Sequence, residues 1–309
     1  CMSATRSLWR GRLALLATVV IWSSPPVFQY WLAGPFDLWT QNFYRYLAGF
    51  LVMAPFFGWR LWRAPGRLPL SDWAGCAAAA VPNVVHQIAQ TAAVVVLLPG
   101  IYALFGRFSV VITAVLAVVF FPDERWIGRS VKFILGTLLA LVGVAALVLD
   151  AEPHFGGDVP WIGLGWALLA ATGWAVYGIL VKKFTARAGP TSGFGVIGFF
   201  SIALLLPGML VFGDASAVLR AGAWTNFVLF GSGILSIGLG HWLYYIGIRE
   251  IGAAPSQSAL LLCPLGTMGL SAGLFGESFQ TGQLVAGAFI LLGAFLALTA
   301  RPPIITPPA

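Results

Sequence analysis

The sequence predicts an all-α polytopic membrane protein in which ten transmembrane helices form two inverted five-helix repeats. Three observations predict this fold class: long apolar runs, basic residues in alternate connections, and a likeness between the two halves of the chain. Of 309 residues, 59% are hydrophobic and 9% are charged, and the mean hydropathy is +0.90. In lipid only helices and closed barrels satisfy every backbone polar group, and these runs are too long and too uniformly apolar for barrel strands.

The apolar runs divide into ten predicted spans with short connections between them. The spans cover residues 12–33, 38–59, 73–97, 100–121, 130–149, 161–183, 192–212, 223–248, 252–276 and 281–299. The first five form a repeat over residues 12–150, and the last five form a second, inverted repeat over residues 161–299. The remaining segments are a cytoplasmic N-terminus (1–11), an extracytoplasmic connector (151–160) and a proline-rich cytoplasmic tail (300–309).

The distribution of basic residues predicts that both termini are cytoplasmic. Alternate connections and the two ends contain 14 of the 17 lysines and arginines, namely Arg6, Arg10, Arg12, Arg60, Arg63, Arg67, Arg125, Arg129, Lys132, Lys182, Lys183, Arg187, Arg249 and Arg301. The opposite connections contain Arg220 together with acidic residues such as Asp37 and Asp214. This bias explains the net charge of +7 of a multi-pass protein without a nucleic-acid partner.

Residues at corresponding places give the two halves a common pattern. The pairs are Trp22 and Trp174, His86 and His241, Pro99 and Pro255, and Glu124 and Glu277. Since each half has an odd number of spans, the second half must enter the membrane with the opposite orientation. Inverted repeats of this kind place a substrate between the halves, near the middle of the bilayer, and allow one half to move against the other.

The third span carries a stripe of polar side chains. Asn83, His86 and Gln90 follow the spacing i, i+3, i+7 and therefore share one helix face. Polar side chains at this depth are costly unless they face protein or a water-filled cavity, so the stripe indicates a pathway for a polar molecule. The alternative is that these side chains hydrogen-bond neighbouring helices and hold a bundle together.

Aromatic and polar residues in several other spans extend this candidate pathway. The predicted substrate-binding residues are Trp22, Gln29, Asn83, His86, Gln90, Tyr102, Arg107, Trp174, Tyr177, His241, Tyr244 and Tyr245. Aromatic faces bind apolar side chains and attract ammonium groups, and histidine, amide and tyrosine groups hydrogen-bond a carboxylate without a fixed charge. Core packing is the alternative for each aromatic residue, and Arg107 can either attract a carboxylate or extend to the outer interface.

Prolines and one arginine within the spans form a second set, with predicted structural or hinge roles. This set consists of Pro25, Pro26, Arg45, Pro82, Pro99, Pro255 and Pro264. Proline bends helices and frees backbone carbonyls, whereas Arg45 is predicted to brace neighbouring helices. Acidic residues occur only near predicted helix ends, which predicts a pathway without obligatory carboxylate-based ion coupling. His86 or His241 can still act as a proton site.

Several of these features together resemble a known family. They are the segment 15–26 around Trp22, Arg45, the run 174–177 (Trp-Ala-Val-Tyr), Pro264 thirteen residues before Glu277, and a glycine-marked last helix. The whole chain resembles the drug/metabolite transporter superfamily, in particular ten-helix EamA-type transporters and, among these, bacterial aromatic amino acid exporters of the YddG type. The first half departs from the pattern, since Val111 occupies the place that matches Pro264. The resemblance implies a location in the bacterial inner membrane and a central cavity surrounded by the first, third, fourth, sixth, eighth and ninth helices.

The resulting prediction is a transporter that exports aromatic or apolar amino acids, or facilitates their passage, by alternating access. We expect a monomer that needs only a small-molecule substrate and the lipid bilayer, with no cofactor, metal or nucleic acid. An efflux carrier for organic cations is the alternative, but it calls for a buried acidic counter-charge. An enzyme is not predicted, because the run 269–273, which matches a nucleophile elbow, lies inside a span rather than at a strand–turn–helix.

Overall fold

The computed structural model describes residues 2–63, 69–151, 161–276 and 281–300, and every regular element in these ranges is a helix. The α-helices are α1 (Met2–Trp22), α2 (Pro25–Leu32), α3 (Leu38–Arg63), α4 (Leu70–Leu97), α5 (Pro99–Phe105), α6 (Phe108–Phe120), α7 (Val131–Ala151), α8 (Trp161–Phe212), α9 (Ala217–Arg220), α10 (Ala223–Ser232), α11 (His241–Ile251), α12 (Ala253–Ala259), α13 (Cys263–Phe275) and α14 (Thr281–Thr299). Pro122–Arg129 and Leu260–Leu262 are 3₁₀ segments, and Gly233–Gly240 is a π-helix. The predicted connector from residue 152 onward, the tail from residue 301 onward and Glu277 lie outside the described residues.

The all-helical prediction is confirmed for these ranges. By length and composition, five helical stretches can cross a membrane: Leu8–Leu32, Leu70–Leu97, Trp161–Phe212, Ala223–Ile251 and Ala253–Phe275. A sixth is added if the 3₁₀ segment Pro122–Arg129 and the start of α7, which meet at 72°, count as one span. These stretches support a polytopic membrane protein, while the arrangement of ten spans in two inverted repeats stays a prediction.

The structure has fewer spanning stretches than the ten predicted, partly because helix α8 combines the predicted sixth and seventh spans. Its 52 residues would extend about 78 Å if straight, far more than the apolar thickness of a bilayer. Gly189 has a left-handed backbone, with φ 75° and ψ 167°, and Pro190 follows it. A Cβ atom added to Gly193 would lie 2.7 Å from Cβ of Thr185, so the chain folds back between these two residues. The boundary between the two predicted spans is therefore the turn at Gly189.

Other predicted spans are interrupted where proline or glycine disturbs the helix. Pro25 begins α2 two residues after α1 ends, Pro99 begins α5, and Pro264 is the second residue of α13. Leu98 and Gly252, which directly precede α5 and α12, have positive φ values of 66° and 110°. The breaks at Pro25 and Pro264 divide the first and ninth predicted spans into shorter helices. The fourth predicted span is interrupted at Gly106 and Arg107, between α5 and α6.

The other three prolines predicted as hinges lie within helices. Pro26 is the second residue of α2. Pro82 lies inside α4, which continues through it from Leu70 to Leu97, and Pro255 lies in the first turn of α12. A proline in the first turn lacks only an N–H that would have no partner within the helix, so it fits there without a bend.

The helices α7 and α14 pack backbone against backbone through small residues. A Cβ atom added to Gly136 would lie 2.6 Å from the amide nitrogen of Ala297 and 2.7 Å from the carbonyl oxygen of Gly293. Only glycine allows this approach, as at the small-residue contacts of membrane helices. The last helix of each half thus lies directly against the other.

Gly136→Ala is expected to lower the free energy of unfolding by about 1–3 kcal/mol, because the added methyl group forces α7 and α14 apart. The measurement is thermal or denaturant unfolding of the purified protein in detergent. Gly269→Ala is the matched control, since a Cβ atom there meets nothing within 4 Å and alanine is the better helix former. Equal losses in both variants would contradict the close packing at Gly136.

Candidate functional site

Aromatic rings from α1, α8 and α11 meet inside the bundle. The ring centroid of Trp174 lies 5.0 Å from that of Trp22, 5.4 Å from Tyr244 and 5.8 Å from His241. His86 of α4 joins them, with its centroid 4.8 Å from Trp174. All of these distances are within the range of favourable ring contacts. Trp174 is therefore the centre of an aromatic cluster formed by these five residues.

Two glycines allow the helices to approach closely enough for this cluster. A Cβ atom at Gly173 would lie 2.9 Å from the carbonyl oxygen of Pro82 and 3.1 Å from the amide nitrogen of His86. A Cβ atom at Gly240 would collide with the indole ring of Trp22. The close contacts of α8 with α4, and of the π-helix with α1, depend on these missing side chains.

Hydrogen bonds hold the rings of the cluster in place. Nδ1 of His86 lies 2.8 Å from the carbonyl oxygen of Ala170, and Nδ1 of His241 lies 3.1 Å from that of Ser236. Because a carbonyl oxygen only accepts, Nδ1 carries the proton in each histidine, and Nε2 is the acceptor of the neutral ring. The indole N–H of Trp22 donates to the same Ser236 carbonyl oxygen over 2.9 Å.

A small cavity of about 60 Å³ lies against the cluster. Seven of the twelve predicted substrate-binding residues line it: Trp22, His86, Gln90, Tyr102, Arg107, Trp174 and His241. Pro25, Pro26 and Arg45, from the predicted structural set, line it as well. The structure therefore brings the paired tryptophans and the paired histidines of the two halves to one space.

The other five predicted residues lie beside the cavity and contact its lining or neighbouring helices. Gln29 accepts a hydrogen bond from Gln90 over 2.7 Å, and its own amide donates to Thr91 over 3.1 Å. Asn83 accepts from Tyr46 and donates to Ser201, both over 3.0 Å. For these two amides the geometry matches the alternative of hydrogen bonding between helices.

The three tyrosines of this group also have partners within the bundle. The hydroxyl groups of Tyr177 and Tyr245 hydrogen-bond each other. Tyr244 packs its ring against Trp22 and Trp174, while its buried hydroxyl has no hydrogen-bond partner. Contact of these tyrosines with a substrate stays a prediction.

Arg107 lies between α5 and α6 and reaches the broken ninth span. Its Nη1 donates to the carbonyl oxygen of Leu260 over 2.7 Å, and its Nε donates to that of Ala103 over 3.2 Å. Leu260 begins the 3₁₀ segment between α12 and α13. The side chain of Arg107 thus points inward, toward the cavity and the second half, rather than to the outer interface.

Two features of this site were not predicted from the sequence. Arg45 is buried and donates to the hydroxyl groups of Ser232 (3.2 Å) and Ser236 (3.1 Å), which matches the predicted brace, but it also lines the cavity. The indole N–H of Trp174 donates to Gln257 over 3.0 Å. In the sequence, only the i, i+4 spacing of Ser232 and Ser236 indicated a partner for Arg45. Serines are common at helix contacts, so this spacing alone did not identify them.

Glu124, in the 3₁₀ segment Pro122–Arg129 of the first half, contacts the ninth span. It is 2% exposed and accepts hydrogen bonds from the amide nitrogens of Ala253 (2.6 Å) and Ala254 (2.9 Å). Lys182 forms an ion pair with the same carboxylate over 2.5 Å. The carboxylate thus satisfies two N–H groups at the start of α12, where the helix dipole favours a negative charge.

Among the residues that the structure describes, no group of three or more His, Cys, Asp or Glu side chains could hold a metal ion. Cys76 and Cys263 are buried and free. The cavity therefore offers rings, amides, hydroxyls and two guanidinium groups for binding a small molecule.

Known transporters are similar to this chain. A protein named uncharacterized transporter from Archaeoglobus fulgidus is 25% identical over 297 residues, which cover 94% of this chain and 97% of the relative. An uncharacterized transporter from Clostridium kluyveri is 26% identical over 167 residues, about half (53%) of each chain. The transporter YyaM of Bacillus subtilis is 26% identical over 209 residues, 63% of each chain.

A solved crystal structure has the same fold. It superposes with a TM-score of 0.71 over 93% of this chain and 96% of its own, at 19% sequence identity. The model of the EamA-like transporter family matches residues 9–149 and 161–299, nearly the whole described chain. The family predicted from sequence is thereby confirmed, and the chain belongs to the EamA-like transporter family of membrane proteins.

Proposed function

We propose that this transporter moves amino acids with aromatic or apolar side chains across the bacterial inner membrane, as an exporter or facilitator. The observation that supports this cargo best is the composition of the cavity. Trp22 and Trp174 provide aromatic faces, Gln90 and the histidines provide neutral hydrogen-bonding groups, and none of its described lining residues is acidic. Rings attract an ammonium group by about 0.5–2 kcal/mol and also pack against an apolar side chain.

An organic-cation efflux carrier is the second candidate, because aromatic rings also bind cations. Such a cargo brings a net positive charge into a low-dielectric site, where an acidic counter-charge would stabilise it. The cavity instead contains the guanidinium groups of Arg45 and Arg107. Two positive charges repel a cation, whereas they suit a zwitterion that carries a carboxylate.

Two contacts between the proposed halves support alternating access. Arg107 of the first half donates to the backbone of Leu260, and Glu124 of the first half accepts from the start of α12. Both contacts meet the broken ninth span, and discontinuous helices at the repeat interface are typical of transporters that rock around a central site. In this mechanism a monomer with both termini in the cytoplasm exchanges cargo without a cofactor and without a membrane carboxylate for ion coupling.

The test is transport by the purified protein in liposomes. The panel contains L-phenylalanine, L-leucine, L-alanine, tetraphenylphosphonium and glucose, and protein-free liposomes are the control. We expect exchange of the amino acids and no uptake of the other two compounds. Transport of tetraphenylphosphonium without any amino acid would reject the proposed cargo. Uphill uptake of phenylalanine under an imposed proton gradient would reject the uncoupled mechanism.

His86→Ala and His241→Ala are each expected to slow phenylalanine exchange about 5- to 10-fold, because each removes a ring and a polar group from the cavity. Both variants should still be found folded in the membrane, as judged by a single symmetric peak in gel filtration. Wild-type exchange rates in both variants would remove the histidines from the proposed site.

A further inference from the structure

Arg45 has a positive charge that no described acidic side chain balances. The residue is 1% exposed, and the ion pairs of the described residues do not include it. Two of its nitrogens donate to the neutral hydroxyls of Ser232 and Ser236, but Nη1 has no hydrogen-bond partner. A buried charge with an unused donor is costly, so its retention beside a cavity indicates that an anion completes the site.

His241 has an unused acceptor in the same region. The residue is 3% exposed, and its Nε2 has no hydrogen-bond partner. Since Nδ1 donates to the carbonyl oxygen of Ser236, Nε2 of the neutral ring accepts a hydrogen bond. A buried acceptor of this kind needs a donor to offset its loss of water.

Ser236 contacts both of the residues that carry these unused groups. Its hydroxyl accepts from Nη2 of Arg45 over 3.1 Å, and its carbonyl oxygen lies 3.1 Å from Nδ1 of His241. The π-helix that contains Ser236 packs tightly against α3, because a Cβ atom at Gly49 would lie only 2.7 Å from the amide nitrogen of Gly238. Arg45 and His241 both line the cavity, so the residues that carry the unused donor and the unused acceptor belong to the same cavity wall.

We propose that Arg45 and His241 bind the charged head that all α-amino acids share. Nη1 of Arg45 donates to the substrate carboxylate, and the substrate ammonium group donates to Nε2 of His241. The two charged groups of an α-amino acid are attached to one carbon atom, which matches a donor and an acceptor held by a single serine. The substrate side chain then extends along Trp22 and Trp174. This inference rests on the proposed function and specifies the head-group site within it.

Arg107 provides a matched control, because it is the other arginine of the cavity. Its Nε and Nη1 already donate to backbone carbonyl oxygens, so it contributes to the shape and charge of the cavity rather than an open carboxylate site. Loss of Arg107 removes a positive charge whose Nε and Nη1 already have acceptors, so it should reduce the preference for a carboxylate only partly. Loss of Arg45 should weaken only those ligands that have a carboxylate.

The test compares L-phenylalanine with 2-phenylethylamine, which lacks the carboxylate, and with 3-phenylpropanoate, which lacks the ammonium group. Binding to the purified protein is measured by calorimetry. The wild type should bind phenylalanine about tenfold or more tightly than either analogue. Arg45→Gln should remove the preference over 2-phenylethylamine, and His241→Phe should remove the preference over 3-phenylpropanoate. Arg107→Gln should keep most of both preferences.

Two outcomes overturn the inference. The first is a wild type that binds 2-phenylethylamine as tightly as phenylalanine, a result that does not depend on the folding of any variant. The second is a preference for the carboxylate that disappears in Arg107→Gln and persists in Arg45→Gln. The absence of amino acid exchange in liposomes rejects the proposed function instead, whereas exchange together with either of the two outcomes rejects only this head-group site.

Discussion

Glu124→Ala is expected to lower the free energy of unfolding by about 2–4 kcal/mol, because it leaves buried groups without their partner. The carboxylate accepts from two amide nitrogens at the start of α12 and pairs with Lys182, whose side chain is only 16% exposed. When one member of a buried, hydrogen-bonded pair is removed, the remaining buried groups have neither a partner nor water, and this destabilises the folded state. The measurement is chemical denaturation of the purified protein in detergent.

Asp123→Ala is the matched control for this prediction. Asp123 precedes Glu124 in the chain and pairs with the same Lys182 over 2.6 Å, but its side chain is 69% exposed. An exposed ion pair contributes about 0.2–1 kcal/mol, so the control should change stability much less. If the two variants lost equal stability, burial and the capping of α12 would not be the source of the contribution of Glu124.

Trp174→Ala is expected to reduce phenylalanine exchange about tenfold or more, with a much smaller effect on alanine. The indole ring forms part of the cavity wall and contacts Trp22, His86 and His241. A bulky substrate loses its aromatic contact when this ring is removed, whereas a small substrate does not reach it. The measurement is the ratio of exchange rates for the two amino acids in liposomes.

Two further variants are controls for Trp174→Ala. Trp174→Phe keeps an aromatic face but loses the hydrogen bond to Gln257, so phenylalanine should remain the preferred substrate. Trp224→Ala removes a tryptophan that is 68% exposed and does not line the cavity, and it should leave both rates unchanged. Equal losses of phenylalanine and alanine exchange in Trp174→Ala would contradict a selective contact.

The helices and much of the cavity lining could be predicted from the sequence. Apolar runs of spanning length predict helices in lipid, because the backbone has no other partner there. The correspondence of Trp22 with Trp174 and of His86 with His241 placed them at similar depth in the two halves, and all four line one cavity. The repeated sequence pattern therefore identified residues that line the same cavity.

Contacts between residues far apart in the chain could not be predicted in the same way. Sequence alone does not tell which of Asp123 and Glu124 is buried, because burial depends on α12, about 130 residues later. Arg45 was a visible charge within a span, but its open Nη1 follows from the arrangement of the π-helix around Ser236. The π-helix Gly233–Gly240 was not predicted from the sequence.

The turn at Gly189 has a consequence for how the chain is assembled in the membrane. A reversal made around a single left-handed residue leaves no slack between the two arms of α8. The two arms are therefore expected to enter the lipid together, as a helical hairpin. Extra residues inserted beside Gly189 would release this tether and allow the arms to integrate separately.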